Sequence, residues 1–89
     1  MRVIAIESFK NGVLRTYGEG ELIKDQVPDM NPFKDLNITN PCIKLDSGKY
    51  VWGCECWWGE TEKFEKKYGS DIKERIIVEP SNVQPLKKV

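Results

Sequence analysis

Tyr50-Val51-Trp52-Gly53-Cys54-Glu55-Cys56-Trp57-Trp58 carries all three tryptophans of the chain and two of its three cysteines. Its β-branched and aromatic residues at alternate positions read as a strand. Successive strand side chains point to opposite faces, so Tyr50, Trp52, Cys54, Cys56 and Trp58 share one face and Val51, Gly53, Glu55 and Trp57 the other. The first set is the expected core face. Trp57, beside the charged Glu55, is then the aromatic expected to meet a partner. Upstream, Cys42–Leu45 is separated from Lys49 by a short connection containing Gly48. That pattern predicts a hairpin whose second strand runs unbroken from Lys49 to Trp58.

Working outward, Arg2–Ser8 is apolar and β-branched, and Asn11-Gly12 follows it as a hairpin turn signal. The returning strand, Val13–Tyr17 and Gly20–Ile23, is interrupted at Gly18-Glu19-Gly20, where a bulge or bend is expected. Residues 24–41 contain Pro28, Pro32 and Pro41 and read as a long ordered loop. Met30, Phe33, Leu36 and Ile38 are its expected anchors, covering one open end of a barrel. Glu60–Tyr68 places Phe64 and Tyr68 four apart, has acidic residues in its first turn and Lys66 and Lys67 in its last, and stops at Gly69. These features predict a short amphipathic helix. A last strand spans Arg75–Glu79 and ends at Pro80. Residues 1–80 are expected to form a single domain, because 89 residues offer only one sizeable core. Residues 81–89, polar with Pro85 and a lysine pair, are expected to be a flexible C-terminal tail.

Fourteen basic and fourteen acidic side chains cancel, so no global field gathers long nucleic acid or holds the chain at an anionic membrane. No apolar run approaches the roughly 20 residues of a membrane span, and the N-terminus lacks the pattern of a secretion signal. A cytoplasmic location is expected, with the three cysteines kept as thiols. Asn37-Ile38-Thr39, formally a glycosylation sequon, is then a chance match.

No histidine is present, which removes the commonest general base and most metal sites. Asp46, Glu55 and Glu60 are scattered with no spacing that sets two of them apart as acid and base. Cys54, Cys56 and Cys42 could form a partial metal site, but structural zinc takes four ligands in tighter spacings, and buried thiols more often act as small hydrophobes. No enzyme, cofactor or metal is expected. What remains is binding. One reading is a protein-interaction module with an aromatic groove of Trp57, Phe33 and Tyr17. The alternative is a small nucleotide-like ligand stacked on Trp57 or Tyr50, with Lys44, Lys49 or Arg15 on its phosphate and Glu55 alongside. A domain this small could also complete its core as a homo-oligomer through an edge strand.

The order strand, strand, loop, strand, strand, helix, strand over residues 2–79 resembles the SH3-like small barrels: a mainly β, five-stranded barrel with one short helix before the last strand. The segment from Asn40 to Gly59, with Asn40-Pro41-Cys42 at its start and the tryptophan-rich stretch at its end, is similar to a motif of short bacteriophage accessory proteins. That resemblance implies a host protein as partner, or a nucleotide immune signal sequestered as a counter-defence. The SH3-like fold hosts many unrelated ligands, so it fixes neither.

Overall fold

The computed structural model describes residues 1–86, and the last three positions of the tail lie outside the described residues. The chain is mainly β. In order it forms β1 (Arg2–Lys10), β2 (Val13–Gln26), a helical turn α1 (Phe33–Leu36), β3 (Asn40–Leu45), β4 (Tyr50–Trp52), β5 (Trp57–Glu60), α2 (Thr61–Tyr68) and β6 (Glu74–Ile77). The sheet path is β4-β3-β2-β1-β5, antiparallel throughout, and β6 joins β2 in parallel. The path is open: β4 and β5, its two ends, do not pair.

Asn11 and Gly12 join β1 to β2 with φ of 51° and 78°, the doubly left-handed geometry that the Asn-Gly signal specifies. Two register shifts follow. Ala5 faces Gly18 while Ile6 faces Thr16, so Tyr17 is an extra residue on β2; Ser8 then faces Arg15, so Glu7 is an extra residue on β1. Thr16 steadies the irregularity, its hydroxyl donating to the Ala5 carbonyl at 2.6 Å and accepting from the Gly18 amide at 2.9 Å. Gly20 has a different reason: a Cβ there would lie 2.2 Å from the Lys44 carbonyl oxygen. Beyond it β2 swings to pair with β3, while its first residues, 13–16, pair with β6. One long strand thus serves two half-sheets.

β1 is buried on both sides. Val3 and Ala5 pack with Ile43, Leu45, Val51 and Cys56, with Tyr17 and Leu22 against them. Ile4 and Ile6 pack with Leu14 under Phe9, Phe64 and Ile72. Phe64 and Tyr68 hold α2 onto Phe9 in edge-on contacts with centroids 6.4 and 6.0 Å apart.

The structure corrects the expected long strand. Lys49–Trp58 is two strands, giving six rather than five among the described residues. Cys42 faces Trp52, so the next pair would be Pro41 with Gly53. Pro41 accepts the Gly53 amide at 2.8 Å but has no N–H to return. Its ring lies where a Cβ on Gly53 would meet it at 3.3 Å. The chain turns there, the Glu55 amide donating to the Trp52 carbonyl at 2.8 Å, and crosses to β1. The alternation is therefore lost after Trp52: Cys54 and Trp58 are exposed rather than core, and Val51, assigned to the outer face, is fully buried.

The loop is also shorter than expected, because β2 continues to Gln26 and β3 begins at Asn40. Leu36 and Ile38 are exposed, so they do not cover the sheet's end. Residues 81–86, part of the expected tail, run instead past Trp52 to Pro28. Trp52 Nε1 donates to the Val83 carbonyl at 2.8 Å, and Pro85 bridges to Pro28.

Candidate functional site

β5 pairs with β1 alone among the described residues, so its other edge leaves backbone N–H and C=O groups without a strand partner. Directly opposed residues of an antiparallel pair share a face. Trp58 faces Ala5 and thus lies on the Val3/Ala5 side; Trp57 faces Ile6 and lies on the Ile4/Ile6 side. The two indoles flank one open edge from above and below. Trp57 is 78% exposed and Trp58 38%, more than isolated surface aromatics need.

Between β1 and β2 the register shifts gather polar groups. Arg15 Nε donates to Glu7 at 2.6 Å, tying the two bulged strands together. The Tyr17 phenol is pushed up by burial first, then by the charges of Glu7, Cys56 and Glu55, with Arg15 opposing. Glu55 accepts the Ser81 hydroxyl on both oxygens, at 2.9 and 3.0 Å. The structure therefore brings Tyr17, Arg15 and Glu55 to one region.

The other expected site residues lie elsewhere. Lys44 and Tyr50 are a cross-strand pair between β3 and β4, with Lys44 also opposite Glu21. Lys49 is paired with Glu79, and the Tyr50 amide donates to Asn82 Oδ1 at 3.0 Å. Phe33 starts α1, beyond the Gln26 end of β2, roughly 30 Å of strand path from the Thr16 level of Trp57. The expected aromatic groove of Trp57, Phe33 and Tyr17 is not one surface, because β2 is long and holds Phe33 at its far end. Of the cations Lys44, Lys49 and Arg15, Lys49 is committed to Glu79 and Arg15 to Glu7.

The thiols are quiet. Burial, with a smaller contribution from the Glu55 charge, pushes Cys42 up to about 11 and Cys56 up to about 12. Cys54 is also raised, by partial burial and then by Glu55. Thiolate chemistry at neutral pH is thereby disfavoured. No group of three or more cysteine and carboxylate side chains that could hold a metal occurs among the described residues. No helix among them is long and apolar enough to cross a membrane.

A concavity of about 620 Å³ opens between the N-terminus and α2, lined by Met1, Arg2, Glu60, Glu62, Lys63 and Lys66. Most of its charges are already paired. Met1 reaches Glu21 at 3.2 Å, Arg2 grips Asp46 with two bonds of 2.8 and 2.7 Å, and Lys63 holds Glu60 at 2.7 Å. This groove and the role of Trp58 escaped the sequence reading. The signal for Trp58 lay in Pro41 and Gly53, which together end the β3–β4 pairing. No protein-family model, curated protein or solved structure matches the chain.

Proposed function

We propose that the chain is a non-enzymatic protein-interaction module that receives its partner along the open edge of β5. One observation carries this: a strand with an unpaired edge bearing Trp57, 78% exposed, and Trp58, 38% exposed. Unpaired N–H and C=O groups offer main-chain bonds to an extended segment, and large aromatics on either side supply apolar contact. The stretch similar to bacteriophage accessory proteins includes both tryptophans, and a host protein in the cytoplasm is the partner this reading favours. The path β5-β1-β2-β3-β4, with a single turn before β5, supports an SH3-like strand order. On that view α2 and β6 are additions to the five-strand sheet.

The nucleotide reading has less support, since its cations are dispersed and two of the three are ion-paired. Trp57→Ala separates the two. Partner capture lost in this variant, with an unchanged unfolding midpoint and no saturable quenching by a nucleotide panel, supports the protein module. Saturable nucleotide quenching in the parent that vanishes in Trp57→Ala sinks it.

A further inference from the structure

Residues 81–86 are held to the sheet almost entirely through bonds that an unrelated segment could reproduce. Trp52 Nε1 donates to the Val83 carbonyl at 2.8 Å. The Asp29 amide donates to the Gln84 carbonyl at 2.9 Å, and the Leu86 amide to the Val27 carbonyl at 2.6 Å. These two, with the Pro28–Pro85 bridge, make a one-bridge antiparallel pairing with residues 27–29. At the near end the Tyr50 amide, on the outer side of β4, donates to the Asn82 side chain at 3.0 Å. Val83, Pro85 and Leu86 are half-buried while Ser81, Asn82 and Gln84 are exposed. Trp52 and Pro28, which meet the segment at Val83 and Pro85, are fully buried.

A strap of this kind differs from a core strand. Three of its side chains are only half-buried, and its attachment is the Ser81 hydroxyl on the Glu55 carboxylate, a carbonyl read by an indole, a carboxamide read by an amide, and a short backbone bridge. We propose that the channel formed by Trp52, Tyr50, Pro28 and the 27–29 backbone is a peptide-recognition site, filled in this chain by its own residues 81–86 as a built-in occupant. This goes beyond the β5 edge reading and does not depend on it. The external ligand is an extended segment of another protein with the same chemistry: a carboxamide side chain, then an apolar residue whose carbonyl meets the indole, then a proline two positions later. Such a segment must displace the strap. A covalently attached segment competes at an effective concentration on the order of millimolar, so apparent affinity for an outside peptide falls by the fraction of time the channel is open.

The test uses the full chain and a fluorescently labelled peptide of residues 79–86. Asn82→Ala combined with Pro85→Gly loosens the strap without touching the channel. This variant is expected to bind the peptide at least tenfold more tightly than the parent, by fluorescence anisotropy. Equal affinity for both chains, or no binding by either up to about 1 mM, overturns the proposal. Amide exchange on the parent chain decides independently, including the case where the variant fails to fold. The proposal expects the Asp29, Tyr50 and Leu86 amides to open well before the Ile43 and Leu14 ladder amides. Opening of all five together would mean that the strap is inseparable from the core, and would overturn it. A dimer by light scattering, with each strap seated on the other copy, would assign the channel to a second copy and overturn the external-ligand assignment.

Discussion

Trp52 and Trp57 lie five residues apart in one aromatic stretch, yet the first is fully buried and the second 78% exposed. Composition does not separate them; neighbours do. β4 has β3 on one side and the 81–86 strap on the other, so its indole is enclosed and its N–H has the Val83 carbonyl. β5 has β1 on one side and no strand on the other among the described residues. The turn at Gly53-Cys54-Glu55, where Pro41 ends the pairing, hands the chain from one environment to the other. A tryptophan next to a strand break is therefore assigned by the partner its strand finds next, not by continued alternation.

The contrast can be broken most forcefully at Trp52. Trp52→Ala should cost about 3–5 kcal/mol of unfolding free energy by urea titration, from the cavity and the Val83 carbonyl left without its donor. A cost below about 1 kcal/mol would show that the strap side of β4 is not packed. The turn gives a smaller, graded test. Cys56→Ser places a hydroxyl in the Val51/Ala5 cluster and should cost about 1–3 kcal/mol, whereas Cys54→Ser at the exposed position should stay within about 0.5 kcal/mol. Trp57→Ala should be smallest, also within about 0.5 kcal/mol, while abolishing partner capture.

Protonation sharpens the same boundary. Cys42 and Cys56 have folded values near 11 and 12, above the ordinary 9.0. Their stabilising contribution is therefore complete below pH 9 and is lost as the pH rises toward those values. At pH 8 a thiol-alkylating reagent should label Cys54 in the native chain and reach the other two only in denaturant. Labelling of all three at one rate without denaturant would contradict the burial of Cys42 and Cys56. On the acid side, Arg2 holds Asp46 and Arg75 holds Glu65 below their ordinary values of 3.8 and 4.5. These exposed pairs should contribute a small stability that is present above those values and fades as pH falls through the depressed ones. Asp46→Asn should flatten part of that acid limb.

Much of the architecture is legible in the sequence for identifiable reasons. Asn11-Gly12 permits few turns, Phe64 and Tyr68 at four-residue spacing require a helix with one apolar face, and Gly18-Glu19-Gly20 marks the irregular middle of β2. What escapes is non-local. Pro41 and Gly53 are each visible, but only the Cys42–Trp52 register makes them opposed. The second use of β2 by a parallel β6 has no short-range signature, and neither does the docking of residues 81–86 on Trp52. Of the candidate site, strand parity put Trp57 outside and Trp58 in the core, but the break after Trp52 removes that parity and Trp58 is exposed as well. Tyr17 and Arg15 lie near Glu7 because two bulges, at Tyr17 and Glu7, interrupt the β1–β2 register.

The parallel pairing of Val13 with Glu74 bears on the order in which the molecule assembles. β1 and β2 meet across a two-residue turn, and β3 and β4 each join within a short further length of chain. β5 must instead return to β1, with Glu60 opposite Val3, and β6 to β2, with Glu74 opposite Val13, and closing a longer loop is slower and entropically dearer. The meander β1–β4 is thus expected to form first, with β5, β6 and then residues 81–86 laid against it. Fluctuations of the native state should retrace that order backwards, releasing residues 81–86 first while β1–β4 stay intact.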